Sequence, residues 1–118
     1  MASHENHRFM EPAGYTLSPA EPLWKRAPAS DSNGQLLSDF MMLIPKLSKQ
    51  PNSIKKQKIA ALERVFQHYG KAVVFADLNL KLNVLWVTVR PIPGICLELP
   101  AAIKHYVPEA LMVGQQRE

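Results

Sequence analysis

Residues 71–90, KAVVFADLNLKLNVLWVTVR, constrain the fold more than any other part of the chain. Ala72, Val74, Ala76, Leu78, Leu80 and Leu82 fall on one parity, and Val73, Phe75, Asp77, Asn79 and Lys81 on the other. A period of two over this length is the pattern of a strand with one buried face. Residues 84–90 set Leu85, Val87 and Val89 against Val84, Trp86, Thr88 and Arg90, with the β-branched and aromatic content of a second strand. The two halves are too close in sequence for a crossover, so they pair as an antiparallel hairpin. Asn79 and Asn83 bracket the turn, because Asn tolerates left-handed backbone. For both apolar parities to share the core face, paired positions must sum to an odd number, which a loop of two or four residues satisfies.

The remaining elements are placed around this hairpin. Residues 40–44, FMMLI, are an unbroken apolar run closed by Pro45, which suits a central strand buried on both faces. Asn52 or Ser53 is a suitable N-cap for a helix over residues 54–69. Its stripe is Ile59, Leu62, Val65, Phe66 and Tyr69, with Gly70 just past its end. After the stiff connection Pro91-Ile92-Pro93-Gly94, the residues Ile95, Leu99, Ile103 and Tyr106 recur at helical spacing. Pro100 is tolerated only near a helix start, so the regular helix is expected from about Glu98 to before Pro108, with residues 95–99 extended as the alternative. Residues 110–113, ALMV, read as a short last strand.

This order predicts an α+β domain. Strand, helix, strand, strand, helix, strand is the β-α-β-β-α-β pattern, and it resembles the ferredoxin-like topology. That resemblance implies a four-stranded antiparallel sheet of order 4-1-3-2 with two helices on one face. The resemblance covers about residues 37–114, within a domain of residues 37–118. Residues 1–36 carry Pro12, Pro19, Pro22 and Pro28 and no sustained periodicity, and are read as an extended or disordered N-terminal arm.

Composition bounds the function. No apolar run approaches the roughly 18 residues of a membrane span, and no secretory signal opens the chain. A single cysteine, Cys96, rules out an internal disulfide framework and fits a reducing, cytoplasmic setting. The net charge of +4 is uneven. Residues 1–36 hold three bases and four acids, net −1; residues 37–118 hold eleven and six, net +5.

Two surfaces stand out. The helix-free face of the expected sheet carries Val73, Phe75, Val84 and Trp86, together with either Phe40, Met42 and Ile44 or Met41 and Leu43 from the first strand. Contiguous apolar patches above a few hundred Å² are uncommon on monomers, so this face calls for a cover. A second copy of the chain, giving a homo-oligomer, is the first candidate; the arm, docking through Trp24, is the next. The second surface is the run Lys46, Lys49, Lys55, Lys56 and Lys58, which no acid interrupts. Part of it lies at a helix start, where an anion would relieve the dipole penalty on cations. Nucleic acid is a weaker candidate, since residues 83–90 carry Trp86 without the Gly-aromatic pattern of RNA-binding strands.

No catalytic, cofactor or metal motif emerges. His4 and His7 sit in the arm and are expected to be solvated, and His68 and His105 end two different helices. Cys96 reads as a small buried residue rather than a nucleophile. The reading is a non-enzymatic module acting through self-association, with an anionic-ligand or nucleic-acid module as the alternative.

Overall fold

A computed structural model describes residues 6–10, 30 and 33–113. In chain order these form β1 (Asn6–Met10), β2 (Ser38–Leu43), α1 (Asn52–His68), β3 (Val73–Asn79), β4 (Val84–Val89), α2 (Ile95–Tyr106) and β5 (Leu111–Met112). A 3-10 turn, Leu47–Lys49, links β2 to α1. The architecture is α+β, an open antiparallel sheet of order β1-β3-β4-β2-β5 with two helices.

The hairpin has the expected parity. Asn79 pairs with Val84 across a four-residue loop, and Ala76, Leu78, Leu85 and Val87 are wholly buried. They join one core cluster with Leu62, Val65 and Phe66 of α1 and Leu99 and Ile103 of α2. Both helices therefore bury their apolar stripes on the same side of the sheet. The loop is built by its two asparagines. Asn79 Oδ1 accepts from the backbone N–H of Lys81 and of Leu82, at 2.9 and 3.0 Å. Asn83 sits in the left-handed region at φ 59°; its carbonyl accepts from Ile44 N at 2.8 Å and its Oδ1 from Ser48 N at 2.9 Å. The turn is thus fastened to the chain leaving β2. Leu82, on the apolar parity, is carried into this turn and is 61% exposed.

Several expectations are corrected. The sheet has five strands, not four, because Asn6–Met10 adds to the outer edge of β3. That strand lies in the stretch read as an arm, and its short sequence shows no alternation to betray it. It is held from both faces. Arg8 Nε lies 3.6 Å from Asp77 Oδ1 on one, and the Phe9 ring packs on Phe66 at 5.1 Å on the other. His7 belongs to this strand too, half-buried with its ring 4.6 Å from Phe9.

In β3 the register slips: Val73 faces Val89, but Phe75 faces Thr88. The extra residue, Val74, is a bulge. It turns Val73 to the helix side, where it joins the core instead of the helix-free face. Strand β2 is buried on one face only: Phe40 and Met42 are buried, Met41 and Leu43 half-buried.

The helix boundaries also move. Helix α1 begins at Asn52 with Pro51 as N-cap and no side-chain cap, so neither Asn52 nor Ser53 serves as one. Gly70 does not adopt positive φ; a Cβ there would meet the Gln67 carbonyl at 3.2 Å, so close approach is what favours glycine. Helix α2 starts at Ile95, three residues before Glu98, behind Gly94 at φ 80°. Pro100 is accommodated because the carbonyl it leaves unbonded, that of Cys96, belongs to an exposed first turn.

Replacing Asn83 tests the hairpin's anchor. Asn83→Ala removes the acceptor for a part-buried N–H and places an alanine in left-handed backbone, so a loss of about 1–3 kcal/mol is expected. Asn83→Gly restores the backbone freedom but not the acceptor and should lose less. Urea midpoints measure both, and an unchanged midpoint for Asn83→Ala refutes the anchoring role.

Candidate association surface

The helix-free face is ordered by the strand register into three cross-strand rows. Asp39, Thr88 and Phe75 form the first; Met41, Trp86, Asp77 and Arg8 the second; Leu111, Leu43, Val84 and Asn79 the third. Burial divides this face in two. Phe75, Asp77 and Thr88 have no exposed surface. Met41, Leu43, Val84 and Trp86 are half-buried, and Leu111 is 48% exposed. The accessible part is an apolar strip, Met41-Trp86 beside Leu111-Leu43-Val84, running to the short edge strand β5.

A polar chain borders the strip. Trp86 Nε1 donates to Thr88 Oγ1 at 3.2 Å, and Thr88 Oγ1 donates to Asp39 Oδ1 at 2.7 Å. The chain orients the indole at the strip's margin. Asp39 is exposed as a residue, yet burial of its carboxylate end raises its pKa above the ordinary 3.8, with the hydrogen bonds from Thr88 and Trp86 pulling partway back.

Of the residues expected on this face, Trp86 and Val84 lie together on its accessible part. Phe75 is on the face but fully buried, and Val73 is on the opposite side. Met41 and Leu43, rather than Phe40 and Met42, are the β2 contribution. Thr88 lies on this face, as the parity it shares with Trp86 predicts. Leu111 and the pairing of Thr88 with Asp39 escaped the sequence reading. Asp39 precedes the apolar run and gave no signal of it.

The lysines do not act as one group. Lys58 pairs with Glu109, and Lys55 Nζ donates to the Ser48 carbonyl at 3.4 Å. Lys46, at φ 64°, Lys49 and Lys56 are exposed. The first turn of α1 contains no acid. Trp24 lies outside the described residues.

Cys96 is exposed in the first turn of α2, not buried as expected. Partial burial of its thiol nonetheless pushes the pKa up. His68 and His105 pack edge-on against their neighbours Tyr69 and Tyr106. Among the described residues no group of three or more His, Cys, Asp or Glu could hold a metal ion, and no helix is long and apolar enough to cross a membrane. In comparisons with known proteins no family model, no curated protein and no solved structure matches the chain.

Two titrations follow from these groups. With its folded pKa raised, Asp39 binds a proton more readily in the folded state than in the unfolded one. Its contribution therefore favours folding at low pH and is lost as pH rises from the ordinary carboxylate value through the folded one. Asp39→Asn should flatten that decline in urea unfolding between about pH 3 and 7; an identical pH profile refutes it. For Cys96, native-state alkylation by iodoacetamide should proceed with a pH midpoint above that of free cysteine. A midpoint below it would reveal an activated thiolate.

Proposed function

We propose that this chain is a ferredoxin-like module, extended by one strand at the β3 edge, that acts without catalysis by associating with a second copy of itself. The carrying observation is the strip of half-buried Met41, Leu43, Val84 and Trp86 with exposed Leu111 on the face where neither helix packs. A twofold arrangement sets the same patch of each copy against the other, so each indole meets the partner's strip. Fully burying a side chain of this size contributes about 1.5–3 kcal/mol, and half-buried ones gain the remaining fraction. A standard interface buries roughly 800 Å² per partner, and the edge residues around β5, including Met112 at 43% exposure, extend the contact.

The alternative, an anion or nucleic-acid site on the lysine run, has less support. Lys55 and Lys58 are engaged within the fold, which leaves Lys46, Lys49 and Lys56 for a ligand. The lone cysteine, exposed and unpaired, favours placing the module in the reducing cytoplasm.

Size exclusion with light scattering on the full chain tests the association. The parent chain is expected at twice the monomer mass. Trp86→Glu and Leu43→Glu are each expected at monomer mass with unchanged helical circular dichroism. A monomeric parent, or a dimer indifferent to both substitutions, overturns the proposal.

A further inference from the structure

Away from the helix-free face, the seam between α1 and α2 opens into a cleft of about 390 Å³ lined by Arg64, Val65, His68, Tyr69, Ala102 and Tyr106. Helical spacing puts these residues together. Arg64 and His68 are one turn apart on α1, as are Ala102 and Tyr106 on α2, so each helix presents an i, i+4 pair to the seam. The floor is apolar: Val65 belongs to the core cluster and Ala102 packs against it. The walls are aromatic. Tyr69 is held in place because its hydroxyl donates to Glu98 Oε2 at 2.9 Å. Tyr106 stands 51% exposed.

The charge in this cleft is one-sided. Glu98, whose carboxylate is engaged by Tyr69, does not line it. Glu98 lines instead the wider adjoining hollow of about 610 Å³, which shares His68 and Tyr69 and lies toward Lys71 and Ile92. The basic groups of the narrower cleft, Arg64 and His68, have no ion-pair partner among the described residues. A concave site of a few hundred Å³ with an apolar floor and a few convergent polar groups is the usual form of a small-molecule pocket.

We propose that the interhelical cleft is a binding site for a small aromatic carboxylate. The ring lies over Val65 and Ala102 between the two tyrosines, where offset or edge-on packing is favourable at centroid separations of about 4.5–7 Å. The carboxylate is taken by the Arg64 guanidinium, whose planar fork matches it. The negative end of the α1 dipole, beside His68, disfavours an anion in the last turn. This places the carboxylate on Arg64, one turn back, rather than beyond His68. The site is independent of the association strip, which is on the other side of the sheet.

Phenylacetate and its neutral counterpart phenylacetamide, titrated into the full chain and followed by ¹H–¹⁵N NMR, test the site. Phenylacetate is expected to give saturable shifts confined to residues 64–69 and 102–106. Phenylacetamide should bind about tenfold or more weakly, the loss anticipated for one charge-assisted contact. Arg64→Gln should weaken phenylacetate by about the same factor and leave phenylacetamide unchanged. Arg64 is exposed, so circular dichroism should show the variant folded. The proposal falls if phenylacetate gives no saturable shift up to roughly 10 mM, if acid and amide bind alike, or if Arg64→Gln leaves the acid's affinity unaltered.

Discussion

The pairing of β3 with β4, one face closed under the helices, is the constraint on which the rest of the structure depends. It supplies Ala76, Leu78, Leu85, Val87 and Val89 to the core as a ready apolar surface. Both helices cover that surface, and β2 takes its register from β4. A slip of one residue along this ladder would send the apolar set to the other side of the sheet. The protein spends one such slip locally, at Val74, and the bulge places Val73 and Phe75 on opposite sides of the sheet. That single extra residue decides which valine belongs to the core and which aromatic lies with Thr88.

The edge beyond β3 shows how a weak local signal becomes a strand. Asn6–Met10 has little intrinsic strand character, yet it pairs with β3 through Asn6, His7, Arg8 and Met10, with a register shift at Phe9, and is gripped from both sides of the sheet, by charge through Arg8 and by aromatic packing through Phe9. A buried carboxylate such as Asp77 is costly without a cation nearby. Bringing Arg8 up to it makes the strand and the carboxylate mutually dependent. At the opposite edge β5 contributes only Leu111–Met112, so that edge is thinly covered among the described residues.

The helix-free face divides by burial. Phe75 and Asp77 of β3 and Thr88 of β4 are closed off, while Met41, Leu43, Val84 and Trp86 are half-accessible. The hydrogen-bonded chain from Trp86 through Thr88 to Asp39 joins the two regions. An indole with its N–H already satisfied presents its apolar body without a desolvation penalty at the nitrogen, which suits a contact surface. The same economy appears between the helices, where Tyr69 spends its hydroxyl on Glu98 and keeps its ring for the cleft.

What the residues determined by themselves is periodicity and punctuation. Alternation across residues 72–89 specified the hairpin and limited its loop to two or four residues, and helical spacing from Ile59 to Tyr69 specified α1 and its buried face. Asparagines at 79 and 83 located the turn, because Asn79 accepts from backbone two and three residues on and Asn83 tolerates left-handed backbone. These features are local, and local patterns carry their own physical cause. The tertiary structure alone decided the rest. Strand β1 exists because β3 offers an edge, Asp77 a charge and Phe66 a ring, all far along the chain. The bulge at Val74 answers to packing under the helices, the exposure of Cys96 to where α2 begins, and the meeting of Asp39 with Thr88 to a cross-strand register spanning 49 positions. Each depends on a partner distant in sequence, and no spacing within a single stretch records such a partner.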